Sequence, residues 1–146
     1  MAEIRDYTSG DIEAVVEIFR SNIPKYFSDH EELELRSYLA DYPENYYLVE
    51  VGDEVVGAGG VALNEDDTVS LCWGMVRHDH LGTGLGKLLT EYRIERSNKV
   101  FGQKALVTST SHLTEGFYNR YGFVTTERTF DGFRPGLDIC KMRREY

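Results

Sequence analysis

A glycine-rich turn between an apolar run and a helical pattern is the strongest constraint on how this chain folds. The apolar run covers residues 69–76, and the turn follows as Leu81-Gly82-Thr83-Gly84-Leu85-Gly86-Lys87. Glycines at alternate positions let a backbone come very close to a ligand. A helix that begins there points free N–H groups and a partial positive charge at the same place. The sequence therefore predicts a strand–loop–helix unit that binds phosphate.

Two familiar phosphate-binding loops do not match this turn. A Walker-type loop needs a glycine separated by four residues from its Gly-Lys pair and a Ser or Thr after the lysine. The chain has Leu81 and Leu88 at those positions. The dinucleotide fingerprint is G-x-G-x-x-G with an acidic residue about twenty positions later. This turn is G-x-G-x-G, and residues 101–106 contain no carboxylate.

Two motifs resemble those of one enzyme family. Residues 76–86, VRHDHLGTGLG, resemble the coenzyme A pyrophosphate loop of the GNAT superfamily of N-acetyltransferases, which follows the fourth strand and begins the third helix. Residues 117–123, FYNRYGF, resemble the Phe-Tyr-x-x-x-Gly-Phe motif on that family's last helix. The chain departs from the family at Leu81, where Arg or Gln is usual. His80 either supplies a side-chain contact to phosphate instead or is an ordinary exposed loop histidine.

Periodicity and turn signals predict eleven elements in the order β-α-α-β-β-β-α-β-α-β-β. Thr8-Ser9-Gly10-Asp11 and Ser28-Asp29-His30-Glu31 are helix starts, and Pro24 helps to end the first helix. We expect a fourth strand at 69–77, a third helix with a stripe of Leu85, Leu88, Leu89 and Tyr92, and a fourth helix capped by Ser111 or Thr114 and ended by Gly122. The last two strands, 124–130 and 137–142, are joined by a loop at 131–136. This pattern predicts an α/β sandwich around a central mixed sheet. The resemblance implies a mostly antiparallel sheet of seven strands, helices on both faces, and splayed fourth and fifth strands.

Length and charge restrict the function further. A chain of 146 residues predicts one domain, 1–146, and its net charge of −9 argues against a nucleic-acid partner. The charge favours a cationic small molecule or a basic peptide end, although it also fits simple solubility.

No apolar segment resembles a signal peptide, and the run at 55–63 is too short to span a membrane. Cys72 and Cys140 lack metal-ligand spacing, so we expect reduced thiols, a cytoplasmic location and no metal. A homodimer is left open.

The resemblance implies acetyl-CoA as co-substrate and a set of binding residues. Backbone N–H groups of the turn would surround the pyrophosphate, and the end of the fourth strand would pair with the pantetheine arm. Gly74 is either a bulge that splays the strands or a site of close packing. Ser111 occupies a position where an Asn usually binds pantetheine, and it is alternatively an N-cap. The implied contacts are Met75, Val76, Gly82, Thr83, Gly84, Leu85, Gly86, Lys87 and Ser111.

Tyr118 is the candidate catalytic residue. The resemblance implies a general acid that protonates the coenzyme A sulfur; the alternative is a packing residue like its neighbours. No base is assigned, because Ser70 and Thr108 cannot act as bases at neutral pH. Remote candidates are His30, Glu32, Glu34 and His112, and a water relay is equally compatible. Cys72 is expected to be a buried thiol rather than a nucleophile.

The expected acceptor is a small-molecule or peptide amine. It would meet residues 22–45, which are acidic and aromatic, and the loop at 131–136. The predicted function is an N-acetyltransferase that acts by direct attack of the amine on acetyl-CoA. Two alternatives stay open: an inactive acyl-CoA-binding sensor with the same fold, and an interaction subunit that has lost coenzyme A.

Overall fold

The computed structural model describes residues 1–23, 25–27 and 29–146. Within these residues the chain forms seven strands and four α-helices. The strands are β1 (Ala2–Asp6), β2 (Tyr46–Val51), β3 (Glu54–Leu63), β4 (Val69–Val76), β5 (Leu106–Ser111), β6 (Val124–Arg134) and β7 (Leu137–Arg144). The helices are α1 (Ile12–Ser21), α2 (Glu32–Asp41), α3 (Leu85–Phe101) and α4 (Glu115–Asn119). The roles predicted for Pro24 and Ser28 lie outside the described residues.

The strands form one mixed sheet in the order β1-β2-β3-β4-β5-β7-β6. Neighbouring strands are antiparallel except β4 and β5, which run parallel. A parallel pair needs a crossover, and α3 provides it, so the glycine turn lies at the carboxyl end of β4. The predicted mixed, mostly antiparallel sheet of seven strands is confirmed.

The helices cover both faces of this sheet, as predicted. Alternation along β2 divides the core, because successive strand residues point to opposite faces. Leu48 is buried in a cluster with residues of α1 and α2, whereas Val49 packs with residues of α3. A third cluster joins β4 and β5 to Tyr118 and Phe123, around and after α4.

The start of α1 shows why the local sequence folds as it does. The Thr8 backbone N–H donates to the Asp11 carboxylate at 2.9 Å, across a short 3₁₀ turn that leads into the helix. The same carboxylate accepts two hydrogen bonds from the Arg5 guanidinium, at 2.9 Å each. Asp11 thus joins the first strand to the first helix, and the capping signal predicted for residues 8–11 is confirmed.

Two expectations from the sequence are wrong. Residues 131–136 are not an open loop, because β6 continues to Arg134 through a register shift after Thr129. Asp131 adopts φ +56° in this irregular stretch, and its backbone N–H donates to the Asp138 carboxylate at 2.8 Å. Leu88 is not a core residue, since 39% of it is exposed.

The fourth helix differs in detail from the prediction. A 3₁₀ turn, His112–Thr114, precedes α4, and neither Ser111 nor Thr114 makes a side-chain capping bond. Gly122 does adopt the left-handed conformation, with φ +87°, three residues after the helix ends. No helix in the described part of the chain is both long and apolar enough to cross a bilayer.

Candidate functional site

A cleft opens where β4 and β5 separate. The two strands pair only at Val69 with Leu106 and Ser70 with Val107, near the start of each strand. Beyond that point the Thr108 hydroxyl donates to the Leu71 carbonyl at 3.0 Å. A cleft of about 940 Å³ extends from there to the N-terminus of α3 and to α4. Clefts of this volume accommodate cofactor-sized ligands.

A bulge in β4 accompanies the separation of the strands. Ala58 pairs with Met75, and Gly60 pairs with Cys72, so both Trp73 and Gly74 lie opposite Gly59. Trp73 adopts φ +47°, which is uncommon for any residue other than glycine and costs of the order of 1–3 kcal/mol. Tyr46 holds the bulge by donating its hydroxyl to the Trp73 carbonyl at 2.9 Å. The expectation of a bulge at Gly74 is confirmed.

The alternative reading of Gly74, close packing, is also correct. A Cβ at this position would lie 2.6–2.8 Å from the guanidinium of Arg93, a distance that excludes any side chain without movement. Gly59 lies beneath the same group, with the Arg93 Cδ and Cζ atoms 3.2–3.3 Å from its own hypothetical Cβ. The two glycines therefore form the floor on which the Arg93 guanidinium lies.

The glycine turn has the geometry of an anion site. Gly82 and Gly84 have φ +78° and +87°, a conformation that L side chains rarely adopt, and neither hypothetical Cβ has a heavy atom within 4 Å. Gly86 lies in the first turn of α3. The backbone N–H groups of Leu85, Gly86 and Lys87 have no partner within the helix, because their acceptors would precede it. The turn thus combines open space with free donors and the positive end of a long helix.

The structure brings most of the predicted binding residues to the cleft. Thr83 and Leu85 do not line it with their side chains. The Thr83 hydroxyl donates to the His80 carbonyl at 2.5 Å, and Leu85 packs in the core. Any contact they make to a ligand would come from their backbone. The predicted residues that line the cleft are Met75, Val76, Gly82, Gly84, Gly86, Lys87, Ser111 and Tyr118.

Besides Nε and Nη1 of Arg93, two polar atoms in the cleft wall have no partner among residues 1–23, 25–27 and 29–146. One is the Ser111 hydroxyl, which is buried and lines the cleft. The other is Asn22 Oδ1, whose amide nitrogen donates to the Ile18 carbonyl at 3.0 Å and to the Val76 carbonyl at 2.9 Å. Buried polar atoms are almost always satisfied, so both fit hydrogen bonds to a ligand. Sequence reasoning missed Asn22, because an Asn just after a helix resembles an ordinary cap.

Tyr118 lies in the cleft wall with its ring fixed by packing. Phe117 and Phe123 contact the ring edge to face, with centroids 5.3 Å and 5.6 Å away. Its hydroxyl accepts a hydrogen bond from Arg93 Nη2 at 3.3 Å. The hydroxyl proton is therefore free to be donated to an atom inside the cleft.

Sequence reasoning also missed Arg93. It is 1% exposed and is one of the largest fully buried side chains of the chain. The signal was present, because Leu85, Leu89 and Arg93 are spaced by four residues on one helix face. An arginine on the buried face of a helix is unusual, and it points to a role.

The residues considered as bases are mostly engaged elsewhere. Ser70 exchanges hydrogen bonds with the Asn64 side chain at 2.9 Å and 3.1 Å. Hydrogen bonds from Arg20 and Arg36 lower the pKa of Glu32, which makes it a weaker base. His112 Nδ1 accepts the backbone N–H of Asp138 at 3.2 Å. Among the histidine and carboxylate candidates, Glu34 lines the cleft.

Cys72 also lines the cleft, next to the bulge, and is half-buried. Its sulfur lies 2.9 Å from the Tyr38 hydroxyl. Burial raises the pKa of the Cys72 thiol, so it stays protonated at neutral pH and is a poor nucleophile.

Part of the cleft lining is aromatic and acidic. Phe27 stacks on Trp73 with centroids 6.2 Å apart, and Tyr26 also lines the cleft. Glu31 and Glu34 also line the cleft, and Glu31 is buried. Phe133 of β6 also reaches the cleft, so both segments expected to meet the acceptor contribute to it.

Comparisons with known proteins agree with this geometry. A family model described as "Acetyltransferase (GNAT) domain" matches residues 6–146. Among curated proteins, no sequence matches the chain. Solved structures do. Ard1 from Thermoplasma volcanium superposes with a TM-score of 0.82 at 18% identity, covering 99% of this chain and 97% of that one.

Two further structures share the fold. The ribosomal-protein-S18-alanine N-acetyltransferase from Escherichia coli has a TM-score of 0.81 at 18% identity, over 99% of this chain and 94% of that one. N-acetylglutamate synthase from Neisseria gonorrhoeae, solved with coenzyme A and N-acetyl-glutamate, has a TM-score of 0.76 at 18% identity. That match covers 99% of this chain and 35% of the synthase.

Proposed function

The chain belongs to the GNAT acetyltransferase family, and on that premise we propose that it transfers the acetyl group of acetyl-CoA to an amine by direct attack. One observation carries the proposal: the cleft between β4 and β5 joins the glycine turn at one end to the Tyr118 hydroxyl within its wall. The proposed unit of function is the single domain 1–146.

Coenzyme A fits the groups that the cleft presents. The pyrophosphate would lie against the turn, where Gly82 and Gly84 leave open space and the first N–H groups of α3 are free. The pantetheine arm would run along the edge of β4 at Met75 and Val76. The unpartnered hydroxyl of Ser111 would contact it from β5. A neighbour of the same fold was solved with coenzyme A, which supports this placement.

The proposed acetyl transfer needs one assigned catalytic group of the protein. A neutral amine attacks the thioester carbon, the carbonyl oxygen becomes negative, and the sulfur leaves with the electrons of the C–S bond. We assign Tyr118 as the general acid that gives its hydroxyl proton to this sulfur. No base is assigned, and the amine would lose its proton to water.

The proposed acceptor is a small-molecule or peptide amine. The carboxylates of Glu31 and Glu34 and the rings around Trp73 suit a cationic group that enters the same cleft. Neighbours named as ribosomal-protein-alanine N-acetyltransferases make peptide N-termini a reasonable class to test. The net charge of −9 disfavours nucleic acid as a partner.

The proposal is tested by turnover of acetyl-CoA with a panel of acceptors. Small amines, aminoglycosides, amino acids and short peptides with free N-termini would each be mixed with protein and acetyl-CoA, and the released thiol would be measured. At least one class should give thiol release above the rate without acceptor, together with an acetylated product by mass spectrometry. Release that does not depend on any acceptor would contradict the proposal.

A second function, binding of acyl-CoA without turnover, is favoured by one observation. Ser70 and Thr108, which lie on the two strands flanking the cleft, are hydroxyls already held by Asn64 and the Leu71 carbonyl. Neither can accept a proton from an ammonium at neutral pH. A rise in melting temperature with acetyl-CoA, combined with no turnover across the panel, would select this alternative.

A further inference from the structure

The most unusual group in the cleft is the Arg93 guanidinium. It is 1% exposed, and it lies on the glycine floor of the β4 bulge. Its Nε and Nη1 atoms have no hydrogen-bond partner within the described part of the chain. Its Nη2 donates to the Tyr118 hydroxyl at 3.3 Å.

A buried cation with so few partners destabilises the fold. Desolvation of a charge is costly unless an opposite charge or several hydrogen bonds compensate. Gly59 and Gly74 both lack a side chain where the guanidinium lies, so the charged group can lie directly against the backbone of these two residues. The Arg93 charge affects neighbouring groups. Burial raises the pKa values of Cys72 and Tyr46, and the positive charge of Arg93 partly offsets this rise in both.

The hydrogen bond fixes the direction in which Tyr118 can donate. A guanidinium can only donate, so the phenolic oxygen is the acceptor and its proton must point elsewhere. Arg93 and the rings of Phe117 and Phe123 surround Tyr118, and the remaining direction opens into the cleft. That is the direction of the leaving sulfur in the proposed reaction.

We propose that Arg93 is a positioning residue for acetyl transfer: it turns the Tyr118 O–H toward the leaving sulfur and stabilises the phenolate that remains after the proton has moved. The inference rests on the proposed function. The acceptor nitrogen forms a C–N bond, the C–S bond breaks, and its electron pair goes to sulfur. The Tyr118 proton passes to that sulfur, the amine loses a proton to water, and the phenolate regains one from water. The products are the N-acetyl compound and free coenzyme A.

If Arg93 has this role, its replacement should lower activity without lowering stability. Arg93→Met keeps much of the side-chain volume and removes the buried charge, so its melting temperature should equal or exceed that of the wild type. Its kcat should fall about tenfold or more, and its KM for acetyl-CoA should change less than about twofold. Arg96→Met, on the same helix but outside the cleft lining, is the matched control and should leave kcat unchanged.

A double-mutant cycle with Tyr118→Phe separates action through Tyr118 from any other role. If Arg93 acts through the hydroxyl, Arg93→Met should change kcat less than about twofold once the hydroxyl is absent. Arg93→Gln and Arg93→Lys complete the series. Gln retains a donor without the charge, Lys retains the charge without the planar fork, and each should keep part of the activity that Met loses.

Each outcome decides the proposal. An unchanged kcat in Arg93→Met overturns it. An equal loss of kcat with and without the Tyr118 hydroxyl also overturns it, because Arg93 would then act on the substrate directly or through the fold. Should Arg93→Met fail to fold, the Gln and Lys variants carry the same cycle. Absence of wild-type turnover with every acceptor would remove the proposed function and this role together, whereas an additive cycle in an active enzyme removes only the role of Arg93.

Discussion

Substitution of Gly86 by alanine would test whether a ligand approaches the first turn of α3. Gly86 is helical and not in the left-handed region, unlike Gly82 and Gly84. A Cβ there would lie 3.8–3.9 Å from the Phe117 ring and 4.0 Å from Val76 Cγ2, which are ordinary contacts. Alanine therefore causes no clash in the free protein. It would, however, occupy the space above the free N–H groups where the pyrophosphate is proposed to bind.

Two effects of opposite sign follow from this geometry. Gly→Ala in a helix stabilises the free protein by about 0.5–1 kcal/mol. Binding of coenzyme A should weaken at least about tenfold, a loss of about 1.4 kcal/mol. At a concentration of about 100 times the wild-type Kd, coenzyme A stabilises the native state by about 2.7 kcal/mol. A tenfold weaker variant would gain about 1.4 kcal/mol at that same concentration.

Thermal melts with and without coenzyme A measure both effects. One kcal/mol corresponds to about 4 °C for a domain of this size, so the ligand-induced shift should fall from about 10 °C to about 5 °C. The matched control is Gly116→Ala in α4, where a Cβ meets no heavy atom within 4 Å and therefore causes no clash either. The control should raise the melting temperature of the free protein and keep the full ligand shift. A full shift in Gly86→Ala would show that no ligand approaches this turn closely.

Three further changes test other parts of the site and fold. Tyr118→Phe should lower turnover about ten- to a thousandfold in steady-state kinetics, with little change in acetyl-CoA affinity by calorimetry. A large loss of affinity would instead make the Tyr118 hydroxyl a binding group. Ser111→Ala removes a buried, unpartnered hydroxyl, so the melting temperature should hold while coenzyme A binds about two- to tenfold more weakly by calorimetry; unchanged affinity would remove Ser111 from the site. The pKa of Asp11 lies well below its usual range because of hydrogen bonds from Arg5, so its stabilisation is present above about pH 4 and is lost as pH falls through the folded pKa. Asp11→Asn should therefore cost about 0.5–2 kcal/mol at neutral pH and flatten the loss of stability below about pH 4, as measured by urea denaturation; an unflattened curve would assign acid sensitivity to other carboxylates.

The sequence by itself determined the order of the elements and the place of the phosphate turn. Both depend on short-range signals: alternating apolar residues for strands, helical spacing for α1 and α3, and glycines that permit φ +78° and +87° at positions 82 and 84. Such signals act between residues close in the chain. They also predicted the bulge at Gly74, because a glycine inside a strand either bends it or allows a close approach.

Sequence reasoning was least accurate where distant segments decide the conformation. The stretch 131–136 has the composition of a loop, yet pairing with β7 and the hydrogen bond from the Asp131 backbone to Asp138 draw most of it into a strand. Leu88 has the right spacing for a core residue but falls outside the face that meets the sheet. The energy in both cases comes from packing and pairing across the sheet, which local spacing does not encode.

Only the tertiary structure decided which polar side chains meet in the cleft. Asn22 and Val76 are 54 residues apart, and Arg93 and Tyr118 are 25 apart, yet each pair is joined by a buried hydrogen bond. The first bond exists because the end of α1 packs against the end of β4, and the second because α3 and α4 flank the same cleft. In the sequence, Arg93 is one charged residue within a helix. The fold places its guanidinium on two glycines and beside the candidate acid, since burial and proximity are properties of the folded chain.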